Sequence, residues 1–172
     1  MRRRTAVLAV ALLLAACASV PPPQDQLSGR LSVKVDATAK QPSRSLSASF
    51  DLRGDARRGE LSLTTPLGTT LARAQWQPGE ARLTTSRGES HHGDLTALAE
   101  ATFGERIPLG ALFDWLRGRP WNQAASHALG TQRGFEQLGW IVDLARYDEG
   151  WVVASRATAP AVTLRAKIDL PS

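Results

Sequence analysis

Val162-Thr163-Leu164-Arg165-Ala166-Lys167-Ile168-Asp169-Leu170 alternates apolar and polar residues at almost every step. Successive side chains of a β-strand point to opposite faces, so this run buries one face and wets the other. The spacing predicts a strand over 162–170. The same period recurs upstream, where Leu31, Val33 and Val35 alternate with Ser32, Lys34 and Asp36. Leu46, Ala48, Phe50 and Leu52 likewise alternate with Ser47, Ser49 and Asp51. Segments 61–63, 71–76, 81–83, 140–147 and 151–155 read as further strands, punctuated by Gly54-Asp55, Pro66-Leu67-Gly68 and Pro78-Gly79. Strands spaced this regularly predict an antiparallel barrel or strongly curved sheet.

Between the two groups of strands the period changes. Asp94 is placed to cap a helix carrying Leu95, Leu98, Ala99 and Phe103, and Gly104 to end it. Pro108 suits the first turn of a second helix, whose stripe is Leu109, Leu112, Phe113 and Leu116 and which Gly118 and Pro120 stop. Two helices this short do not stand alone, so they are expected to lie on the sheet.

The N-terminus belongs to another kind of signal. Arg2, Arg3 and Arg4 precede an apolar run over 6–16, too short to span a bilayer. Residues 1–16 therefore read as a secretory signal peptide. Leu14-Ala15-Ala16-Cys17 has the form of a bacterial lipobox, and Cys17 is the chain's one cysteine. Its thiol is expected to take a diacylglycerol after cleavage. No aspartate follows it, which points to the outer membrane, and residues 17–26, with Pro21-Pro22-Pro23, read as a stiff tether. The remaining 27–172 is one domain's length, with 42% hydrophobic and 22% charged residues over the whole chain.

Charge and motifs narrow the function. Lys+Arg number 21 against 16 Asp+Glu, and loss of the three leader arginines leaves 18, a net of +2. That gives no support to nucleic-acid binding, which calls for a clustered basic stripe with aromatic partners. A single cysteine excludes an internal disulfide and a cysteine zinc cage. His91-His92 would point to opposite faces of a strand and read better as exposed residues near a turn, so no metal or other cofactor is expected. Neither a G-x-S-x-G elbow nor a glycine-rich phosphate loop is present, and the acidic residues fall at turns and on polar faces. The sequence reads as a binder, not an enzyme.

Three separated stretches carry a resemblance. Thr64-Thr65-Pro66-Leu67-Gly68-Thr69-Thr70 lies between two strands. Ile107-Pro108-Leu109 leads through Leu112 to Trp115-Leu116-Arg117-Gly118-Arg119-Pro120. Phe135-Glu136-Gln137-Leu138-Gly139-Trp140 opens a strand, with Tyr147 beyond it. With the lipobox and Gly29-Arg30-Leu31, this order and spacing resembles the LolB family of outer-membrane receptors in bacterial lipoprotein localisation, over about 27–170. The chain departs from that family in ending Asp169-Leu170-Pro171-Ser172, without its terminal tryptophan. The departure bears on the packing of the last strand.

The resemblance implies an incomplete antiparallel β-barrel with a short helical lid over an apolar cavity. It implies a monomeric receptor that accepts lipoproteins from a LolA-like periplasmic carrier and passes their acyl chains to outer-membrane phospholipid. Each methylene exposed to water costs about 0.8 kcal/mol, so two or three acyl chains cost on the order of tens of kcal/mol unless hidden. With no nucleotide motif, a downhill affinity gradient is the expected drive. Cys17 would anchor the receptor, and Pro66-Leu67-Gly68 would present a leucine to the bilayer. Leu31, Val33, Phe50 and Leu63 from strands, and Leu112, Trp115 and Leu116 from the second helix, are the expected cavity residues. Trp140 and Val142 complete that set. Arg30, Arg44, Arg73 and Arg82 are candidates to meet an acidic rim on the carrier. Two alternatives stay open on the residues alone: a lipoprotein of the same open-barrel type carrying lipids, and a structural lipoprotein with a solid core.

Overall fold

The computed structural model describes residues 26–170. The expected signal peptide, Cys17 and the tether up to residue 25 lie outside the described residues, as do the last two residues.

Six strands come first: β1 (Gln26–Val35), β2 (Arg44–Gly54), β3 (Gly59–Thr64), β4 (Thr70–Gln77), β5 (Glu80–Thr85) and β6 (Gly88–His92). Two helices follow, α1 (Leu95–Phe103) and α2 (Leu109–Leu116). The chain closes with β7 (Ser126–Ala128), β8 (Gly134–Gln137), β9 (Trp140–Asp143), β10 (Trp151–Arg156) and β11 (Val162–Ile168). All eleven strands join one antiparallel sheet in the order β6-β5-β4-β3-β2-β1-β11-β10-β9-β8-β7. Two meanders are thus stitched by the single non-sequential pairing, β1 with β11. The sheet curls without closing, because β6 and β7 remain as edges.

β11 follows its alternation as far as Ile168, with Val162, Leu164, Ala166 and Ile168 buried, but it stops two residues short of the expected end and Leu170 is exposed. It is hydrogen-bonded on both sides, to β1 from Gly29↔Ile168 to Val35↔Val162 and to β10 from Trp151↔Lys167 to Arg156↔Val162. The last strand therefore packs in the interior of the sheet. The strand expected over 140–147 is shorter. Asp143 Oδ1 accepts a hydrogen bond from the Ala145 N–H at 2.8 Å, an Asx-type turn that ends the ladder, and Tyr147–Glu149 form a 3₁₀ turn. His91 and His92 end edge strand β6, directly before the bend at 93–94, and His91 is exposed. Polar β6 carries no apolar alternation because both its faces meet solvent, which also discourages pairing with another chain.

The helices form where expected. Asp94 Oδ1 accepts the Ala97 N–H at 2.8 Å, and Gly104, at φ 70°, donates its N–H back to Glu100 O. A left-handed cap of this kind is open to glycine at little cost. α1 lies over β5 and β6 and against α2. α2 is the more deeply set: Ala111, Leu112, Phe113, Trp115 and Leu116 are all buried, against only Leu98 and Ala99 in α1.

Candidate functional site

The inner face of β1–β5 does not pack solidly against the helices. A cavity of about 280 Å³ lies between them. Its floor is Leu31 and Val33 of β1, Leu46, Phe50 and Leu52 of β2, and Leu61 and Leu63 of β3, continued by Leu71, Ala72, Ala74 and Trp76 of β4. Its roof is Leu95, Leu98 and Phe103 of α1 with Leu109, Leu112, Phe113 and Leu116 of α2. The space has a local cause. Ala72 and Ala74 occupy inward positions of β4, and side chains this short leave space below the helices. The ladder also slips by one residue between Leu63↔Ala72 and Thr64↔Thr70, leaving Leu71 as an extra residue in β4. Such a bulge re-aims side chains, and here the consecutive Leu71 and Ala72 both line the cavity. Thr102 and Arg87 are the polar lining residues, and Arg87 alone is charged.

α2 divides this hollow half from a solid one. Its Phe113 ring stacks on Trp76 at 4.9 Å and 7°, and the Trp76 indole N–H is fixed by Asp55 O at 2.8 Å. On its other side Trp115, 1% exposed, meets Trp140 at 5.9 Å between ring centroids. Beneath them lies Gln137, the buried polar residue of the core, also 1% exposed. Its Oε1 accepts from Trp115 Nε1 at 2.8 Å and from the Trp121 N–H at 2.9 Å. Its Nε2 donates to Trp121 O and Ala124 O, both at 2.8 Å. The amide thus uses all its hydrogen-bonding capacity, as a buried polar group must. Arg117, following α2, donates to Phe113 O and to Gly54 O in the β2–β3 turn. The helix is held on three sides.

Leu31, Val33, Phe50, Leu63, Leu112 and Leu116 are brought together as cavity lining. Trp115, Trp140 and Val142 are not: they are buried in the solid half, on the far side of α2. Trp115 is turned away because α2 buries more than one face, and spacing alone does not say which neighbour each face meets. Sequence reasoning missed Leu46, Leu61, Leu71, Trp76 and the α1 side chains as lining. Inward alternation on β2–β4 was the available signal for most of them, whereas the bulge at Leu71 leaves no mark in the pattern.

Leu67 is 94% exposed. It occupies a three-residue hairpin between β3 and β4, closed by Thr65 N–H to Thr69 O at 2.8 Å and Gly68 N–H to Thr65 O at 2.9 Å. Thr65 Oγ1 adds a third bond, from the Thr69 N–H at 3.1 Å. Pro66 pre-sets the first central position and Gly68, at φ 84°, takes the left-handed one, so the leucine between them is carried outward on a rigid tip.

The arginines considered for the carrier do not converge. Arg30, Arg73 and Arg82 alternate with inward residues and so lie on the outer face, where Arg73 is 3.5 Å from Glu60 and Arg82 is 3.4 Å from both Glu80 and Glu89. Arg44 stands apart at the start of β2. Hydrogen bonds from Gln77 and then Arg82 hold the Glu80 carboxyl below its ordinary range, and Arg146 does the same for Glu149.

The family model of the outer-membrane lipoprotein LolB matches residues 24–170, the whole of this sheet and its helices. The chain belongs to the LolB family. It is 37% identical over 177 aligned positions to LolB of Bordetella petrii, covering 92% of this chain and 88% of that one. With LolB of Bordetella pertussis it shares 40% identity over 152 positions, 79% of this chain and 74% of the relative. LolB of Chromobacterium violaceum is 31% identical, over 85% and 84% of the two chains. The LolB match takes in the cavity, the Leu67 hairpin and the Gln137 corner alike.

Proposed function

We propose that this outer-membrane lipoprotein accepts lipoproteins from a LolA-type carrier, shelters their acyl chains between β1–β5 and the helices, and releases them beside Leu67. The observation that carries the reading is the pairing of an apolar cavity with a fully exposed leucine on a rigid hairpin. Acyl chains offer nothing to hydrogen-bond, so a leucine-lined hollow suits them. The lipid on Cys17 keeps the receptor at its target membrane, residues 1–16 direct export, and the tether spaces the domain from the bilayer. Burial of Leu67 in the membrane gains roughly 1.5–3 kcal/mol, enough to orient the molecule and too little to anchor it.

A volume of about 280 Å³ lies just below the roughly 300–1,000 Å³ of ordinary small-ligand sites. Cargo with two or three long chains needs more room, so loading requires the roof to lift. α2 is pinned by Gln137, Arg117 and Trp76, whereas α1 is sparsely buried and bounded by Gly93 and Gly104. In this proposal α1 moves and α2 stays.

The test has two arms. An environment-sensitive fatty-acyl probe should bind the domain saturably. In a transfer assay Leu67→Glu should still take lipoprotein from the carrier but fail to place it in liposomes. Delivery at the unaltered rate would reject the role given to the hairpin, and absence of probe binding would reject the cavity's.

A further inference from the structure

We propose that the end of the sheet bearing Leu67 is a phosphate-binding rim, in which Lys40, Arg44 and Arg87 engage the headgroups of anionic phospholipid around the inserted leucine. The inference deepens the reading of Leu67 as membrane-facing and rests on it.

The strand registers place these residues together. Leu67 lies just beyond Thr64, and Thr64 is level with Ser49 of β2. Arg44 begins β2 at that same end, opposite Val35, and Lys40 lies in the β1–β2 connection leading into it. Ala72 of β4 is level with Thr85 of β5, so the β5–β6 turn that carries Arg87 also emerges there. All three cations are exposed.

They are also uncommitted. Nearby carboxylates are already taken: Asp36 by Lys34 at 2.8 Å, Glu100 by Arg106 at 3.3 Å, and Glu105 by Arg156 at 2.8 Å. Lys40, Arg44 and Arg87 make no ion pair or side-chain hydrogen bond among the described residues. At the opposite end Arg53 is paired with Asp51, and Asp55 lies beside Arg57 and Arg58, accepting from their backbone N–H groups. Three cations unpaired among the described residues thus lie at the end of the sheet that carries the bare leucine. Apolar insertion beside free lysine and arginine is the combination that a bilayer's hydrocarbon and phosphate layers receive.

Two further observations favour a membrane over an acidic protein face. Arg87 lines the cavity, so this end is also where enclosed chains meet the outside. Reach agrees as well. Gln26 is level with Arg53 and hence with Glu60, and the tip at Leu67 is about 20 Å farther along at roughly 3.3 Å per residue. Nine Cα-to-Cα steps lead from Cys17 to Gln26, a span of at most about 30 Å. An anchor on Cys17 and the tip at Leu67 can enter the same bilayer.

The strands and helices close their core within residues 26–170, so the chain from Ala18 onward, without its lipid, serves for the measurement. Its sedimentation with phosphatidylcholine vesicles is compared with that on vesicles containing phosphatidylglycerol, at low and high salt. The triple variant Lys40→Gln, Arg44→Gln, Arg87→Gln should lose affinity for the anionic vesicles by about five-fold per residue, on the order of a hundred-fold in all, and most of the salt dependence. The control triple Arg30→Gln, Arg165→Gln, Lys167→Gln removes equal charge from the outer face and should change binding by less than a few-fold. Equal losses in the two triples would reduce the effect to net charge and overturn the proposal. Undiminished vesicle binding by the first triple, coupled with failure to receive lipoprotein from the carrier, would reassign the rim to that protein and overturn it too. The vesicle measurement contains neither cargo nor carrier, so its outcome is separate from that of the transfer assay.

Discussion

Replacing Gln137 with leucine tests the corner that holds α2. The side chain is 1% exposed, and the substitution preserves approximate size while deleting four hydrogen bonds of 2.8–2.9 Å. An unsatisfied buried group costs about 1–3 kcal/mol. Trp115 Nε1 has no route to water, so its loss is set near the middle, about 2 kcal/mol. Trp121 and Ala124 belong to a partly exposed loop, which can turn toward solvent, so their three groups together add about 2 kcal/mol. The expected destabilisation is about 4 kcal/mol, read as a lower urea midpoint at unchanged slope. Gln137→Glu sharpens the case. Its carboxylate keeps the acceptor for Trp115 and Trp121 but turns a second oxygen toward the carbonyls of Trp121 and Ala124. Burial and those carbonyls favour the protonated acid, raising the folded-state pKa above the unfolded one. The stability of this variant should therefore be greatest below the unfolded carboxyl pKa and fall as pH rises through the folded one. A loss under about 1 kcal/mol for the leucine variant, or a glutamate variant whose stability does not decline with pH, would refute the role given to this amide.

Two more predictions address the hollow half and the far hairpin. Ala72→Trp projects an indole into the cavity. It should abolish acyl-probe binding while changing stability by no more than about 1–3 kcal/mol, since the ring enters existing space, measured by probe titration beside a urea melt. Leu138 holds φ 55° in the turn before Gly139, a left-handed conformation costly for a branched side chain. Leu138→Asn should raise the melting temperature by roughly 2–4 °C, for a gain near 1 kcal/mol, and an unchanged melt would show the turn to be unstrained.

Much of the sheet was legible because burial on one face writes a period of two. β1, β2 and β11 announce themselves this way, and Asp94 and Gly104 bracket α1 by their own chemistry. The edge strands were not legible, since residues such as Glu89, Ser90 and His91 meet water on either side and carry no alternation. Site residues divide along the same line. Alternation shows that Leu31, Val33, Phe50 and Leu63 point inward, yet pointing inward is common to a packed core and a cavity wall. Trp115, Trp140 and Val142 satisfy the same criterion and belong to the solid half. The glutamine that fixes α2 stood in plain view between Glu136 and Leu138, but its partners lie 13 to 22 residues away and only the fold brings them to it.

One curled sheet thus supports opposite packing on its two sides, and side-chain size decides which is which. On the β1–β5 side, alanines at 72 and 74 face the helices across the cavity, leaving space. On the β8–β11 side, inward Ala154 and Ala166 share the face with Trp115, Trp140 and Phe135, and volume is restored. A void forgoes packing energy of about 24 cal/mol per Å³ in engineered cavities. A hollow of about 280 Å³ persists only because the other half, with its saturated glutamine and paired indoles, keeps the sheet and α2 in place. The same arrangement makes the hollow useful. In the proposed function, apolar cargo regains the contacts the protein lacks, and α1, with little buried surface, is displaced while α2 holds its place.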